Sequence, residues 1–168
     1  MRKTLNFLYD SAAALAALFM VGLLAMVLLS IIGRQLHFNV PGIDAYAGYL
    51  MAGSGFLALA HTLKRGEHIR VTLILARLQP GARRWLERWA TGAAALLAML
   101  FAFYSARLAW QSHVFNDIST GNDATPLWLP QLSMAIGAIV FAIATVDEFI
   151  VEWNGRPLRT DTEALRHE

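Results

Sequence analysis

Four uncharged runs constrain this chain more than any other feature. Asp10 and Arg34 enclose 23 residues free of Asp, Glu, Lys and Arg; Asp44 and Lys64 enclose 19, Arg88 and Arg107 enclose 18, and Asp123 and Asp147 enclose 23. A helix rises about 1.5 Å per residue, so runs of roughly 20 residues match a hydrocarbon core of about 30 Å. Soluble helices of that length show a polar stripe at 3.6-residue spacing, and the stretch 15–32 shows none. Charged residues make up 15% of the chain, against about a quarter in soluble domains. The expected fold is an all-α integral membrane protein with four transmembrane helices, at about 11–33, 44–63, 86–111 and 127–151. Residues 1–155 form one membrane domain, and 156–168 a polar tail. Arg2 and Lys3 precede the first run as they would in a signal peptide. The run is too long for one, so an uncleaved signal-anchor is expected.

Basic residues set the orientation, because they accumulate beside spans on the cytoplasmic side. With the N-terminus inside, 12 of the 14 Lys and Arg residues are cytoplasmic, and only Arg34 and Arg107 fall outside. Both termini and the central hinge are then cytoplasmic. The tryptophans give an independent check, since indoles favour the headgroup level. Trp85, Trp89, Trp110, Trp128 and Trp153 all fall at span ends and are expected to anchor the interfaces.

The hinge at 64–71 separates two apolar halves. Its continuation, 67–78, has no clean stripe and is expected to form a short helix in the cytoplasmic interface, its arginines reaching phosphates. Pro80 and Gly81 break it, and the third helix is expected from Ala82, with Glu87 supported by Arg83 and Arg84. Small residues mark sites of close helix approach: Gly48, Ala52, Gly53, Ser54 and Gly55 in span two, the stretch 92–95 in span three, and Ala135, Gly137, Ala138 and Ala142 in span four.

Composition and placement narrow the chemistry. The absence of cysteine removes disulfides, thiolate metal sites and thiol redox reactions. A net charge of +2 gives no nucleic-acid surface. A self-sufficient small four-helix transporter needs an ionisable group deep in the bilayer, and the middles of the four spans lack one. A haem-bearing redox anchor needs two histidines at one depth. His61 ends span two on the inside, His113 ends span three on the outside, and His68, on the inner surface with His61, stands in the charged hinge. Ser54 has no histidine at its depth, so no serine protease is formed. No enzyme, cofactor or metal site is expected. Arg34, alone in the first outer loop, is a headgroup anchor or a contact for a partner's acidic surface.

Two words of the sequence carry a family likeness. One is Gly33-Arg34 followed by Phe38-Asn39-Val40-Pro41-Gly42-Ile43-Asp44; the other is Lys64-Arg65-Gly66-Glu67-His68-Ile69-Arg70-Val71. Together with Ser119-Thr120-Gly121 and Pro126-Leu127-Trp128-Leu129-Pro130-Gln131, they make 29–138 resemble the DctQ-like small membrane subunit of tripartite ATP-independent periplasmic (TRAP) transporters. Relatives often carry a tryptophan in span two where this chain has Gly53. The resemblance implies a scaffold subunit in the bacterial inner membrane. Its partners would be a large membrane subunit, which moves an organic acid with a sodium gradient, and a periplasmic solute-binding protein. Arg34, Asp44, Arg65, Gly66, Glu67, His68, Arg70 and Arg84 are the residues expected to meet partner or lipid.

Overall fold

The computed structural model describes residues 2–38, 40–65 and 79–154, with no account of the side chains of Arg2 and Pro80. These residues form four helices: α1 (Arg2–Gln35), α2 (Ile43–Lys64), α3 (Pro80–Val114) and α4 (Trp128–Trp153). The expected interfacial helix at 67–78, with Gly66, Glu67, His68 and Arg70, lies outside the described residues, as does the tail at 156–168.

Three helices are long and apolar enough to cross a membrane: α1, α3 and α4, with mean hydropathies of 2.8, 1.6 and 2.1 in their most apolar windows. At 22 residues, α2 reaches about 33 Å, but Tyr46, Tyr49, His61, Thr62 and its glycines dilute its hydropathy. Two helix starts differ from expectation. The first begins at Arg2, since nothing in 2–10 disfavours a helix. The third begins at Pro80 rather than Ala82, with Gln79 as N-cap, because proline lacks only an N–H that the first helical turn does not use.

The helices stand in the spatial order α1–α2–α4–α3. α2 and α4 form the middle, α1 lies along α2 with a small contact to α4, and α3 lies along α4. The arrangement is a row more than a closed bundle, and α1 keeps only 6% of its most apolar window buried. Between helices in lipid there is no hydrophobic drive, so close approach of small residues supplies the attraction. The seams show this. Ala98 and Ala102 of α3 meet Ala138 and Ala142 of α4, and Tyr9, Ala12, Ala60, Val140 and Ala144 join α1, α2 and α4. A Cβ built on Gly137 would stand 2.6 Å from the backbone carbon of Phe56, so α4 and α2 cross backbone to backbone there. At Gly53 the ring of Phe19 takes the space of the missing side chain, 2.6 Å from a built Cβ. Gly53 and Ser54 are buried, whereas Gly48, Ala52 and Gly55 face outward.

The two longest helices, α1 and α3, end in the same device. His37 (φ 57°) and Asn116 (φ 52°) take the left-handed conformation that usually falls to glycine. The N–H of Phe38 then reaches the Gly33 carbonyl at 3.0 Å, and that of Asp117 the Ser112 carbonyl at 3.0 Å. These are Schellman closures, which satisfy carbonyls the helix end would leave bare.

Candidate functional site

Polar side chains gather at the two ends of the row. At the end holding the α1–α2 and α3–α4 loops, the second loop folds back as a tight hairpin. The Ser119 N–H donates to the Thr125 carbonyl at 2.8 Å and the Leu127 N–H to the Asp117 carbonyl at 2.9 Å. Within it, the Ser119 hydroxyl donates to Asp123 Oδ1 at 2.7 Å, and the Gly121 N–H donates to Ser119 Oγ at 3.2 Å. The first turns of α2 clasp this hairpin. The Tyr49 hydroxyl donates to Asp123 Oδ2 at 3.0 Å, and the Thr125 hydroxyl donates to Tyr46 Oη at 3.0 Å. The two tyrosines, three residues apart, meet edge to face. Gly42, at φ 78°, caps α2, and a Cβ there would lie 2.5 Å from Asp123 Cβ. The two loops therefore touch at a glycine that nothing larger can replace without displacing one of them. The Ser119 hydroxyl, with Thr125 and Tyr49 behind it, holds the Asp123 carboxyl down to about 2, below the usual carboxylate range.

At the other end, α1, α2 and α4 meet around Lys64. Its ammonium pairs with Asp147, lies 3.8 Å from Glu148 Oε2, and sits 5.4 Å above the Tyr9 ring centre. Only 25% of the lysine side chain is exposed. The Tyr9 hydroxyl is buried, with no hydrogen-bond partner among the described residues. One turn back on α2, His61 Nδ1 stands 3.5 Å from Asp10 Oδ1. Here one cation and two carboxylates tie α2 to α4, and the Tyr9 ring and Asp10 bring in α1. Among the described residues no group of three or more His, Asp or Glu could hold a metal ion.

The residues singled out from sequence are distributed between these ends. Arg34 and Asp44 are exposed and line one crevice of about 100 Å³ with Ser30, Phe38 and Val40, between the end of α1 and the start of α2. Arg65 closes α2, its N–H donating to the His61 carbonyl at 3.0 Å. Arg84 is exposed near the start of α3, one turn before Arg88. Arg83, not Arg84, binds Glu87, at 2.9 Å. Trp85, Trp89, Trp110 and Trp153 are each more than 60% exposed, while Trp128 is half-buried and packs edge to face on His113. His61 and His113 sit at opposite ends of the row, His61 beside Asp10 and His113 against Trp128.

Sequence reasoning missed the clasp of Tyr46, Tyr49, Ser119, Asp123 and Thr125, and the lysine node. A signal for the first was the pair of tyrosines three apart at the start of an apolar run. For the second it was that Lys64 and Asp147 both bound uncharged runs on the same side.

Comparison with known families gives one match. The family model for the DctQ component of tripartite ATP-independent periplasmic transporters covers residues 23–155. No individual curated protein matches the chain.

Proposed function

This chain belongs to the DctQ component family of the TRAP transporters, and we propose that it is the small, non-catalytic membrane subunit that braces a large transport subunit. The family is one of transporter components, not of enzymes. In this reading all four helices span the bacterial inner membrane, with both termini and the 66–78 hinge in the cytoplasm. α2 crosses between α1 and α4, which cover much of its surface, so it tolerates lower hydropathy. The large subunit moves an organic acid with a sodium gradient, and a periplasmic binding protein delivers it. Arg34, Asp44 and the clasped outer loops face that protein. Arg65, Gly66, Glu67, His68, Arg70 and Arg84 form the cytoplasmic brace.

The observation that carries this reading is the pinning of the row at both ends around an apolar middle. A transporter working alone must release and rebind protons or ions within the membrane. Here Asp147 and Glu148 of α4 are engaged by Lys64 at one end of the row, and small residues close the seams between. That suits a part that holds its shape while another part moves. A tagged copy extracted in mild detergent should bring down a much larger membrane protein. Elution alone, or with a Soret band marking a redox complex, would overturn the reading.

A further inference from the structure

We propose that the flank between the start of α3 and the end of α4 is a binding site for an anionic phospholipid. The proposal rests on the membrane-subunit reading above. Arg84 and Arg88 stand one turn apart, and Arg88 is two turns before Ala95, which is buried, so both arginines lie toward the α4 side of α3. Arg88 meets the last residue of α4 there, its guanidinium carbon 5.5 Å above the Trp153 ring centre. A cation stacked on an exposed indole keeps its N–H edges free for a phosphate. Beside this pair lies an open crevice of about 250 Å³, lined by Phe149, Ile150, Trp153 and Asn154.

The crevice continues in the direction an acyl chain would take. Phe149 packs on Gly92, whose built Cβ would lie 3.1 Å from the ring, so α3 and α4 stand close at this point and Phe149 forms the floor beside the crevice. Farther along α4, Ile143 and Ile139 are exposed on the same side as Ile150, seven and eleven residues back. That spacing keeps them in one line. Trp85 and Trp89, 68% and 62% exposed, flank the basic pair at the level where indoles meet headgroups.

Charge decides the class of lipid. Of the four carboxylates near this flank, Glu87 is engaged by Arg83, Asp147 and Glu148 by Lys64, and Glu152, next to Trp153, is engaged as well. Two guanidinium groups on one flank favour a headgroup with net negative charge over a zwitterionic one, each basic side chain near an anionic surface adding about 1 kcal/mol. The indole stack orients the guanidinium, and the isoleucine line takes the chain.

Native mass spectrometry of the purified chain, titrated with phosphatidylglycerol or phosphatidylcholine, tests this without any partner subunit. Phosphatidylglycerol adducts should survive activation that strips phosphatidylcholine. Arg84→Gln and Arg88→Gln should each lower phosphatidylglycerol retention about fivefold, and millimolar inorganic phosphate should not compete. Equal retention of the two lipids, or an unaffected double variant, would overturn the site. Displacement by inorganic phosphate would reassign it to a free anion. A second measurement guards against misfolded variants. Phosphatidylglycerol brominated on its acyl chain should quench tryptophan emission more than the brominated phosphatidylcholine does. Trp153→Phe should reduce that difference, the remainder coming from Trp85 and Trp89, and an undiminished difference would count against the assigned crevice.

Discussion

Gly42 occupies the position where backbone and packing both refuse a side chain. Its φ of 78° costs an L-residue about 1–2 kcal/mol, and an added methyl would collide with Asp123, 2.5 Å away at Cβ. Gly42→Ala should therefore lower the thermal midpoint in detergent and raise hydrogen exchange across 117–127. Gly48→Ala is the natural control. That glycine has nothing within 4 Å of a built Cβ, and alanine is the better helix former by about 1 kcal/mol, so stability should hold or rise. The neighbouring Asp123 gives a pH prediction of definite sign. Its folded pKa, about 2, lies below the unfolded value near 3.8, so the clasp is fully favoured above about pH 4 and weakens as pH falls toward 2. Hydrogen exchange of the hairpin should accelerate over that acid window, and Asp123→Asn should remove the dependence.

Elements are held by close approach at the seams and by charge at the Lys64 end. At Gly137 the atoms in the way of a Cβ belong to the backbone of Phe56 and Leu57, at 2.6 to 2.9 Å, so no rotamer change can make room. Gly137→Ala should destabilise the α2–α4 pair by about 1–3 kcal/mol, the usual range for overpacking, measured by unfolding in mixed micelles. At the lysine node, Lys64→Met leaves Asp147 without its cation in a half-buried place. The loss should be about 1–2 kcal/mol, below that of a fully buried pair. Lys64→Met combined with Asp147→Asn should recover part of it. Additive losses in that cycle would mean the pair is not coupled.

The helices themselves were legible because charge spacing and span length are local properties of the chain. α1, α3 and α4 contain the expected cores, and the small residues flagged at Gly53, Ala138 and Ala142 do lie in seams. What was not legible depends on which helix neighbours which. Gly48, Ala52 and Gly55 read like Gly53 in sequence yet face outward, because α1 and α4 both approach α2 from the other side. The clasp of Tyr49 on Asp123 joins residues 74 apart, and no periodicity predicts such a pairing. Arg34 and Asp44 were visible as isolated charges, but their sharing of one crevice follows from the Schellman turn at His37.

At the scale of the molecule, the row α1–α2–α4–α3 has tied ends, an alanine-lined middle and broad outward flanks. A closed bundle would bury its small residues and present one continuous lipid surface; this row leaves sides of α2 and α4 open. The chain belongs to the DctQ component family, and in the proposed reading such a row braces a large transport subunit. Rigid support, with transport carried elsewhere, is the central claim. It is tested by uptake into liposomes holding the small subunit, the large subunit or both, with the binding protein and an organic acid outside and a sodium gradient imposed. The account predicts uptake when both subunits are present and none from the small subunit alone. Sodium-driven uptake by this chain alone, or full-rate uptake by the large subunit without it, would contradict the account.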